Sequence, residues 1–150
     1  MTLTIDEGSI GREISRVRDK YDILVVLIHC GTEYMDHPEQ KKVQKLRRFI
    51  DLGADVVLGT HPHVIQDIEL YGGGLIAYSL GNLVFDQNWS KATSLGLLLE
   101  ISFIGDNPVY YDPKFVYIEN AQAGIISSEK AESILSSLKS ERREYAYAER

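Results

Sequence analysis

The first part of the chain alternates between helical stripes and short apolar runs. Residues 6–20 carry apolar side chains at spacings of three and four, which predicts an amphipathic helix. Residues 21–28 form a short apolar run typical of a strand covered on both faces. A second stripe, from Pro38 to the turn at Gly53, predicts another helix. Because residues 55–59 are again a short apolar run, the order predicts a βαβ unit with two parallel strands.

The second part of the chain has the pattern of antiparallel strands. Three glycines at 72–74 separate two apolar runs and suit a hairpin turn. A later run alternates apolar and polar residues, with Leu98 the exception, as in a strand with one solvated face. Ser127 or Ser128 is expected to cap a last helix. The predicted strands are 64–71, 75–80, 93–103 and 109–118. The fold class is therefore α/β, a βαβ unit followed by antiparallel strands and a C-terminal helix.

Composition limits the classes of protein that fit. The chain has 150 residues, enough for one domain, and we place that domain at 1–139, with a charged tail at 140–150 that is expected to fray. The formal net charge of −6 argues against a nucleic-acid partner. No apolar run is long enough to span a membrane, and the first residues do not resemble a signal peptide, so the chain as written is expected to be cytoplasmic. The single cysteine, Cys30, excludes an intramolecular disulfide.

Three histidines stand where predicted strands end. His29 follows the first strand, and His61 and His63 follow the second. In parallel sheets such positions meet at one edge, where ligand sites gather. Pro62 is expected to keep the segment extended, so that both flanking imidazoles point to the same side. Imidazole suits divalent Mn, Zn, Fe or Ni, which predicts a metal site. The alternative is a pair of loop histidines bonded to backbone carbonyls.

Two segments resemble a known family. IHCGTEY at 28–34 resembles the HWGxEY segment of the CapA family of capsule or poly-γ-glutamate synthesis proteins. LGADVVLGTHPHVIQDIELYGGGLIAYSLGNLVFD at 52–86 resembles that family's DAGADxVIGxHPHVxQxxExYxxxLIxYSLGNFVFD. The family is similar in fold to calcineurin-like metallophosphoesterases. The resemblance therefore implies the C-terminal half of a metallophosphatase-like αββα sandwich.

The resemblance also implies a set of functional residues. His29, His61 and His63 match the metal-ligand positions, and a complete domain would hold two divalent metals. Glu33 is expected to accept a hydrogen bond that orients an imidazole, and Asn82 to donate to a phosphate or a metal-bound water. For both residues the alternative is a structural role, as a solvated loop acid and a turn residue. The implied activity is that of a metal-dependent hydrolase or transferase acting on a phosphate ester or an anionic polymer precursor.

The chain departs from the family pattern mainly at its front. Cys30 and Leu83 replace a tryptophan and a phenylalanine, and neither change removes a ligand. Nothing in residues 1–20 resembles the upstream half, which supplies the remaining ligands. We therefore expect an upstream half-domain polypeptide or a homodimer as partner. The alternative function is that of a non-catalytic accessory subunit or a truncated fragment. Relatives often act outside the membrane, so localisation stays open.

A basic run lies on the second predicted helix. Runs of this kind are usually solvated faces, and we expect that here rather than docking of a phosphate polymer. Its members are Lys41, Lys42, Lys45, Arg47 and Arg48. Glu69 is likewise expected on a solvated face, that of a predicted strand.

Overall fold

The structure is a computed structural model that describes residues 7–87, 89–105 and 107–148. Its helices and strands follow the predicted order, with one additional strand. They are α1 (Glu7–Val17), a 3-10 turn (Arg18–Lys20), β1 (Val25–His29), α2 (Gln40–Asp51), β2 (Val56–Thr60), β3 (Ile68–Tyr71), β4 (Gly74–Ala77), β5 (Leu95–Ile104), β6 (Asn107–Glu119), β7 (Gln122–Ile125) and α3 (Ser128–Ala148).

A four-stranded sheet has the order β1-β2-β4-β3. β1 and β2 pair in parallel, from Val25 opposite Val56 to His29 opposite Thr60, which confirms the predicted βαβ unit. β4 continues the parallel arrangement beside β2, and β3 returns antiparallel to β4. Because β1 and β2 end in register, the residues that follow them meet at one edge of the sheet.

The helices α1 and α2 cover one face of this sheet. Ile14 of α1 and Leu46 and Phe49 of α2 are buried in one cluster with Val57 and Ile76 of the sheet. Burial of such side chains stabilises the folded chain by roughly 1.5–3 kcal/mol each. The predicted α/β class is therefore confirmed, with helices packed on a mixed sheet.

The opposite face of β1 is open. Leu24, Val26 and Ile28 pack toward the helices, whereas Val25 is 45% exposed and Leu27 is 77% exposed. The prediction that this strand is covered on both faces is therefore wrong. The reason is topological, because β1 is an edge strand of the sheet as described, and apolar composition does not distinguish edge from centre.

The hairpin and the second sheet follow the antiparallel pattern. Gly72 and Gly73 have φ of 59° and 87°, as a tight hairpin turn requires, although β3 begins only at Ile68. β5 and β6 pair antiparallel, and Leu98 is the exposed exception that the alternation predicted. β7 was not predicted. It pairs with β6 through a turn at Asn120 and Ala121, two residues with positive φ.

The last helix begins as predicted. The Ser127 Oγ accepts from the backbone N–H of Lys130, which is an N-cap bond. α3 extends to Ala148, into the segment that was expected to fray, while residues 149 and 150 lie outside the described residues. The domain limit at 139 stays a prediction. Within the described ranges, no helix is long and apolar enough to cross a membrane.

Two polar residues are placed differently from their predictions. Lys42, expected on a solvated face, is only 6% exposed. Glu69, expected on a solvated strand face, accepts hydrogen bonds from Arg47 and from the Tyr78 hydroxyl. α2 begins at Gln40, so Pro38 precedes the helix instead of occupying its first turn. One member of the basic run, Lys42, is therefore buried, contrary to the prediction of a solvated face.

Candidate metal centre

The three histidines meet at the carboxyl edge of the parallel strands. His29 is the last residue of β1, and His61 and His63 lie directly after β2. The ring centroids are 4.8 Å apart for His29 and His61, and 5.8 Å apart for His61 and His63. The three imidazoles therefore lie close together in the structure, at the edge that the sequence predicted.

The backbone that presents them is not extended. His61 and His63 have φ of 97° and 61°, and Tyr34, on the facing loop, has φ of 62°. The prediction of an extended segment around Pro62 is wrong, although both imidazoles still reach the same side. A non-glycine residue in this conformation costs roughly 1–3 kcal/mol. Such strain persists only where surrounding contacts impose it, and three instances meet at this edge.

Glu33 joins the histidine pair. One ligand atom from each of Glu33, His61 and His63 lies within 4.8 Å of the other two. The Glu33 Oε1 is 4.0 Å from the His63 Nε2. A carboxylate oxygen with two imidazole nitrogens suits borderline divalent metals such as Zn, Fe, Mn or Ni. The donor set therefore fits the metal that the sequence predicted, with a carboxylate in addition.

His29 stands beside this trio. Its Nε2 is 3.1 Å from the His61 Nδ1. Two nitrogen ligands of one tetrahedral zinc ion are about 3.3 Å apart, given Zn–N bonds of about 2.0–2.1 Å. The distance therefore suits either a hydrogen bond between the rings or shared ligation, and the ligand role of His29 stays a prediction.

Asn82 determines which nitrogen of His63 is free. The Asn82 Nδ2 donates to the Thr93 carbonyl at 2.9 Å and to the Gln87 Oε1 at 3.2 Å. Its Oδ1, which only accepts, lies 2.9 Å from the His63 Nδ1. The Nδ1 must therefore carry the proton, which leaves the Nε2 lone pair of His63 directed toward Glu33. A partner of this kind orients the ring and raises its basicity as a ligand.

A second chain of hydrogen bonds orients His61. The Thr60 hydroxyl donates to the Ile28 carbonyl, so its oxygen accepts from the His29 Nδ1 at 3.0 Å. In the hydrogen-bonded arrangement of the two rings, His29 accepts on Nε2 from the His61 Nδ1, which leaves the His61 Nε2 free to ligate. Partial burial, with the neighbouring His29, lowers the pKa of His61. A lowered pKa favours the neutral ring, which is the form that ligates a metal.

A close backbone approach holds Asn82 in place. Asn82 is 7% exposed, in the segment after β4, where Gly81 forms an antiparallel bridge with Gly96 of β5. A Cβ atom on Gly96 would lie 1.9 Å from the Asn82 carbonyl oxygen, so only glycine allows this close approach. Both amide hydrogens of Asn82 are donated within the protein. Donation to a phosphate or a metal-bound water, as the resemblance implied, stays a prediction.

Aromatic side chains form the wall of the centre. Phe85 stacks on His63 with ring centroids 5.5 Å apart and planes inclined by 18°. The Tyr34 ring is 6.2 Å from His63 and 6.2 Å from Trp89. Cys30, which follows His29, is a half-buried free cysteine that lies outside the ligand cluster.

Sequence reasoning assigned no role to two residues beneath the centre. Gln66 is 4% exposed and bonds to Lys42 and to the loop that carries Glu33. The one available signal was that Gln66 stands in the long motif shared with the CapA family. The burial of Lys42 had no signal in the sequence, because Lys42 belongs to a basic run of the kind that is usually solvated.

Comparison with known proteins shows the family of the chain. The family model described as "Bacterial capsule synthesis protein PGA_cap" matches residues 2–87, which include His29, Glu33, His61, His63 and Asn82. The chain therefore belongs to the bacterial capsule synthesis protein family PGA_cap.

Two relatives carry matching names. The "PGA biosynthesis protein CapA" of Bacillus subtilis (strain 168) is 45% identical over 85 residues, 57% of this chain and 22% of that protein. The "Capsule biosynthesis protein CapA" of Bacillus anthracis is 36% identical over 101 residues, 65% of this chain and 25% of that protein. The chain thus spans about a quarter of the length of these relatives. The CapA resemblance is confirmed at the level of the family.

Proposed function

We propose that this chain is part of a capsule or poly-γ-glutamate synthesis protein and acts as a metal-dependent, phosphoesterase-like hydrolase or transferase. The observation that carries the proposal is the convergence of Glu33, His61 and His63, with ligand atoms within 4.8 Å, at the edge where His29 also ends its strand. In the proposed role His61 and His63 hold the metal through Nε2, and Glu33 adds an oxygen ligand.

The residues around the centre have distinct tasks in this proposal. A bound divalent metal supplies a Lewis acid and lowers the pKa of a bound water. Asn82 keeps the proton of His63 on Nδ1, and His29 does the same for His61. The aromatic wall of Tyr34 and Phe85 limits the access of water from one side. A complete domain would hold a second metal with ligands from elsewhere.

The proposed substrate is a phosphate ester or an anionic polymer precursor. The names of the two relatives point to capsule and PGA biosynthesis. The acidic net charge of −6 makes a nucleic-acid substrate unsuited to this surface. A bound cation would reverse the local charge and attract an anionic group to the histidine edge.

The test is metal content together with hydrolysis of a generic phosphodiester. Chain purified without chelator is compared with the His61→Ala/His63→Ala variant by elemental analysis and with bis-p-nitrophenyl phosphate. We expect about one transition-metal ion per wild-type chain, lost in the variant together with any turnover. A matched control is His37→Ala, whose ring is bonded to Asp36 away from the centre. Equal metal content in wild type and double variant would sink the proposal.

A second candidate function is that of a non-catalytic accessory subunit, or of a fragment that needs a complementing polypeptide. The observation that favours it is the open edge and face of β1, where Val25 and Leu27 are exposed. Exposed apolar edge strands are sites of association. The occupant in this proposal is the upstream half-domain or a second copy of the chain.

Sedimentation separates the two occupants of that edge. Self-association gives a dimer whose dissociation is promoted by Leu27→Lys, while the control Leu70→Lys, on the exposed face of the β3 edge, leaves it unchanged. A monomer that gains tight metal binding only with a separately produced upstream half supports complementation. Chelator-sensitive turnover by the chain alone contradicts the accessory function.

A further inference from the structure

Gln66 is a buried polar residue at the junction of three segments. It is 4% exposed, and its backbone N–H donates to the Ser79 carbonyl at 3.0 Å. Its side-chain Oε1 accepts from the Lys42 Nζ at 3.1 Å, and its Nε2 donates to the Met35 carbonyl at 2.8 Å. The carboxamide therefore links α2, the segment after the histidine pair, and the loop after β1.

The chemistry of the two partners allows one orientation of this carboxamide. An ammonium group only donates, and a backbone carbonyl only accepts. Rotating the amide by half a turn would set two donors against each other at Lys42 and two acceptors at Met35. The link is thus directional, and a carboxylate cannot reproduce both of its bonds.

Lys42, which donates to the Gln66 Oε1, is itself buried. Lys42 is 6% exposed, and burial lowers the pKa of its ammonium. Burying an ammonium group costs free energy, which the Gln66 oxygen and the nearby Glu39 carboxylate offset in part. The loop crosses directly above it, since a Cβ on Gly31 would lie 3.1 Å from the Nζ.

The loop held in this way presents Glu33. Its next anchor is the Tyr34 N–H, which donates to the Pro62 carbonyl at 2.8 Å. The Glu33 side chain is 48% exposed, so its position 4.0 Å from the His63 Nε2 depends mainly on the backbone that carries it. Tyr34 has φ of 62°, a conformation that relaxes unless contacts on both sides hold it.

We propose that Gln66, oriented by Lys42, is a positioning residue that holds the Glu33 loop so that the carboxylate completes the ligand set of the metal centre. The inference rests on the proposed function, because it concerns the same centre. It adds a residue pair, Lys42 and Gln66, that contacts neither metal nor substrate. Gln66 acts through Glu33 and not through the histidines.

The experiment measures Mn²⁺ affinity by calorimetry and amide exchange of residues 32–36. Gln66→Glu keeps an acceptor for Lys42 but sets a carboxylate against the Met35 carbonyl. We expect roughly a 10-fold loss of Mn²⁺ affinity, as for other outer partners of metal ligands, with faster exchange of residues 32–36. Lys42→Met is a second variant, with a loss in the same direction. The matched control for the charge change is Gln44→Glu on the exposed side of α2.

A double-mutant cycle distinguishes positioning from general loosening of the fold. If Gln66 acts through Glu33, the losses from Gln66→Glu and Glu33→Ala are not additive, whereas those from Gln66→Glu and Asn82→Ala add. Additive losses with Glu33→Ala, or unchanged exchange at 32–36, overturn the positioning role while leaving the metal site intact. Wild-type chain that binds none of Mn²⁺, Zn²⁺, Fe²⁺ and Ni²⁺ overturns both this inference and the proposed function, so the two failures are distinguishable.

Discussion

Residues with positive φ occur both at the histidine edge, where the strands that precede His29, His61 and His63 end, and in the β6–β7 turn. They serve different purposes in the two places. Asn120 and Ala121 are consecutive residues with φ of 50° and 61°, as a two-residue hairpin turn requires. His61 and His63 have similarly positive φ but direct two imidazoles toward Glu33. Positive φ alone therefore does not mark a functional site. The distinguishing feature is that ligand atoms converge where the backbone is strained.

The two regions also differ in their relation to the family. The match to the PGA_cap family covers residues 2–87 and ends beyond the histidine edge, before β5 begins. The antiparallel sheet of β5, β6 and β7 lies outside that match. It nevertheless supports the centre. Gly96 of β5 lies against the Asn82 backbone, and the carbonyl of Thr93, just before β5, accepts a hydrogen bond from the Asn82 side chain.

The largest expected effect tests the close approach of Gly96 to the Asn82 backbone. Gly96→Ala places a methyl group where it would lie 1.9 Å from the Asn82 carbonyl oxygen. Because backbone atoms must move, we expect the free energy of unfolding to fall by about 3 kcal/mol. Urea denaturation measures the loss. Gly124→Ala in β7, where a Cβ meets no atom within 4 Å, is the control, and equal losses in both variants would contradict the prediction.

The next effect sharpens the assignment of the histidine edge as a metal centre. Asn82→Ala removes the acceptor that keeps the His63 proton on Nδ1. We expect Mn²⁺ affinity to fall roughly 10–100-fold, measured by calorimetry, because the ring is no longer oriented. Gln122→Ala on the exposed strand β7 is the control and is expected to keep full affinity. Unchanged affinity in Asn82→Ala would show that the orientation of His63 does not depend on this residue.

A smaller effect concerns an ion pair on the same sheet that serves stability only. The hydrogen bond from Arg47, 2.5 Å from the Glu69 Oε1, lowers the pKa of Glu69. Since the folded pKa lies below the unfolded one, the contribution is present above about pH 4.5 and is lost as pH falls through the folded pKa. We expect Glu69→Gln to lower Tm by about 4 °C at pH 7.

The pH dependence of that difference is the check on its cause. The Tm values of wild type and Glu69→Gln are expected to approach each other as pH falls through the lowered folded pKa of Glu69, since below that pKa Glu69 is protonated in both states of the wild type. A difference that stays constant down to pH 2.5 would assign the effect to packing instead of charge. Metal affinity is expected to be the same in both proteins.

The smallest effect is expected in the antiparallel sheet. Lys114 donates to the Glu100 carboxylate at 2.9 Å, between side chains that are 40% and 64% exposed. Exposed pairs of this kind contribute little. We expect Lys114→Ala to change Tm by less than about 1 °C in thermal denaturation. A change as large as that of Glu69→Gln would remove the contrast between the two sheets.

Much of the fold was predictable because its signals are local. The apolar runs, the helical stripes and the glycine turn depend on side-chain periods of two and 3.6, which neighbouring residues determine. The cap at Ser127 is equally local. β7 was missed because all four of its residues are exposed and carry no alternating pattern, leaving only the turn at Asn120 as a signal.

The candidate site was predictable in part. The order of strands and histidines predicted that His29, His61 and His63 meet at one edge, and the family motif added Glu33 and Asn82. The left-handed backbone of the histidine pair was not predictable, since Pro62 by itself favours an extended neighbour. The burial of Lys42 was hidden because a basic run on a helix is ordinarily solvated.

The sequence by itself determined the element types, the parallel pair of strands and the family, because each depends on periodicity or on a contiguous motif. Only the tertiary structure decided that Leu27 is exposed on the open face of β1, that Asn82 fixes the proton of His63, and that Gln66 joins Lys42 to the Glu33 loop. These features depend on which distant segments meet. Hydrogen bonds between residues 19 to 31 positions apart leave no periodic trace in the chain.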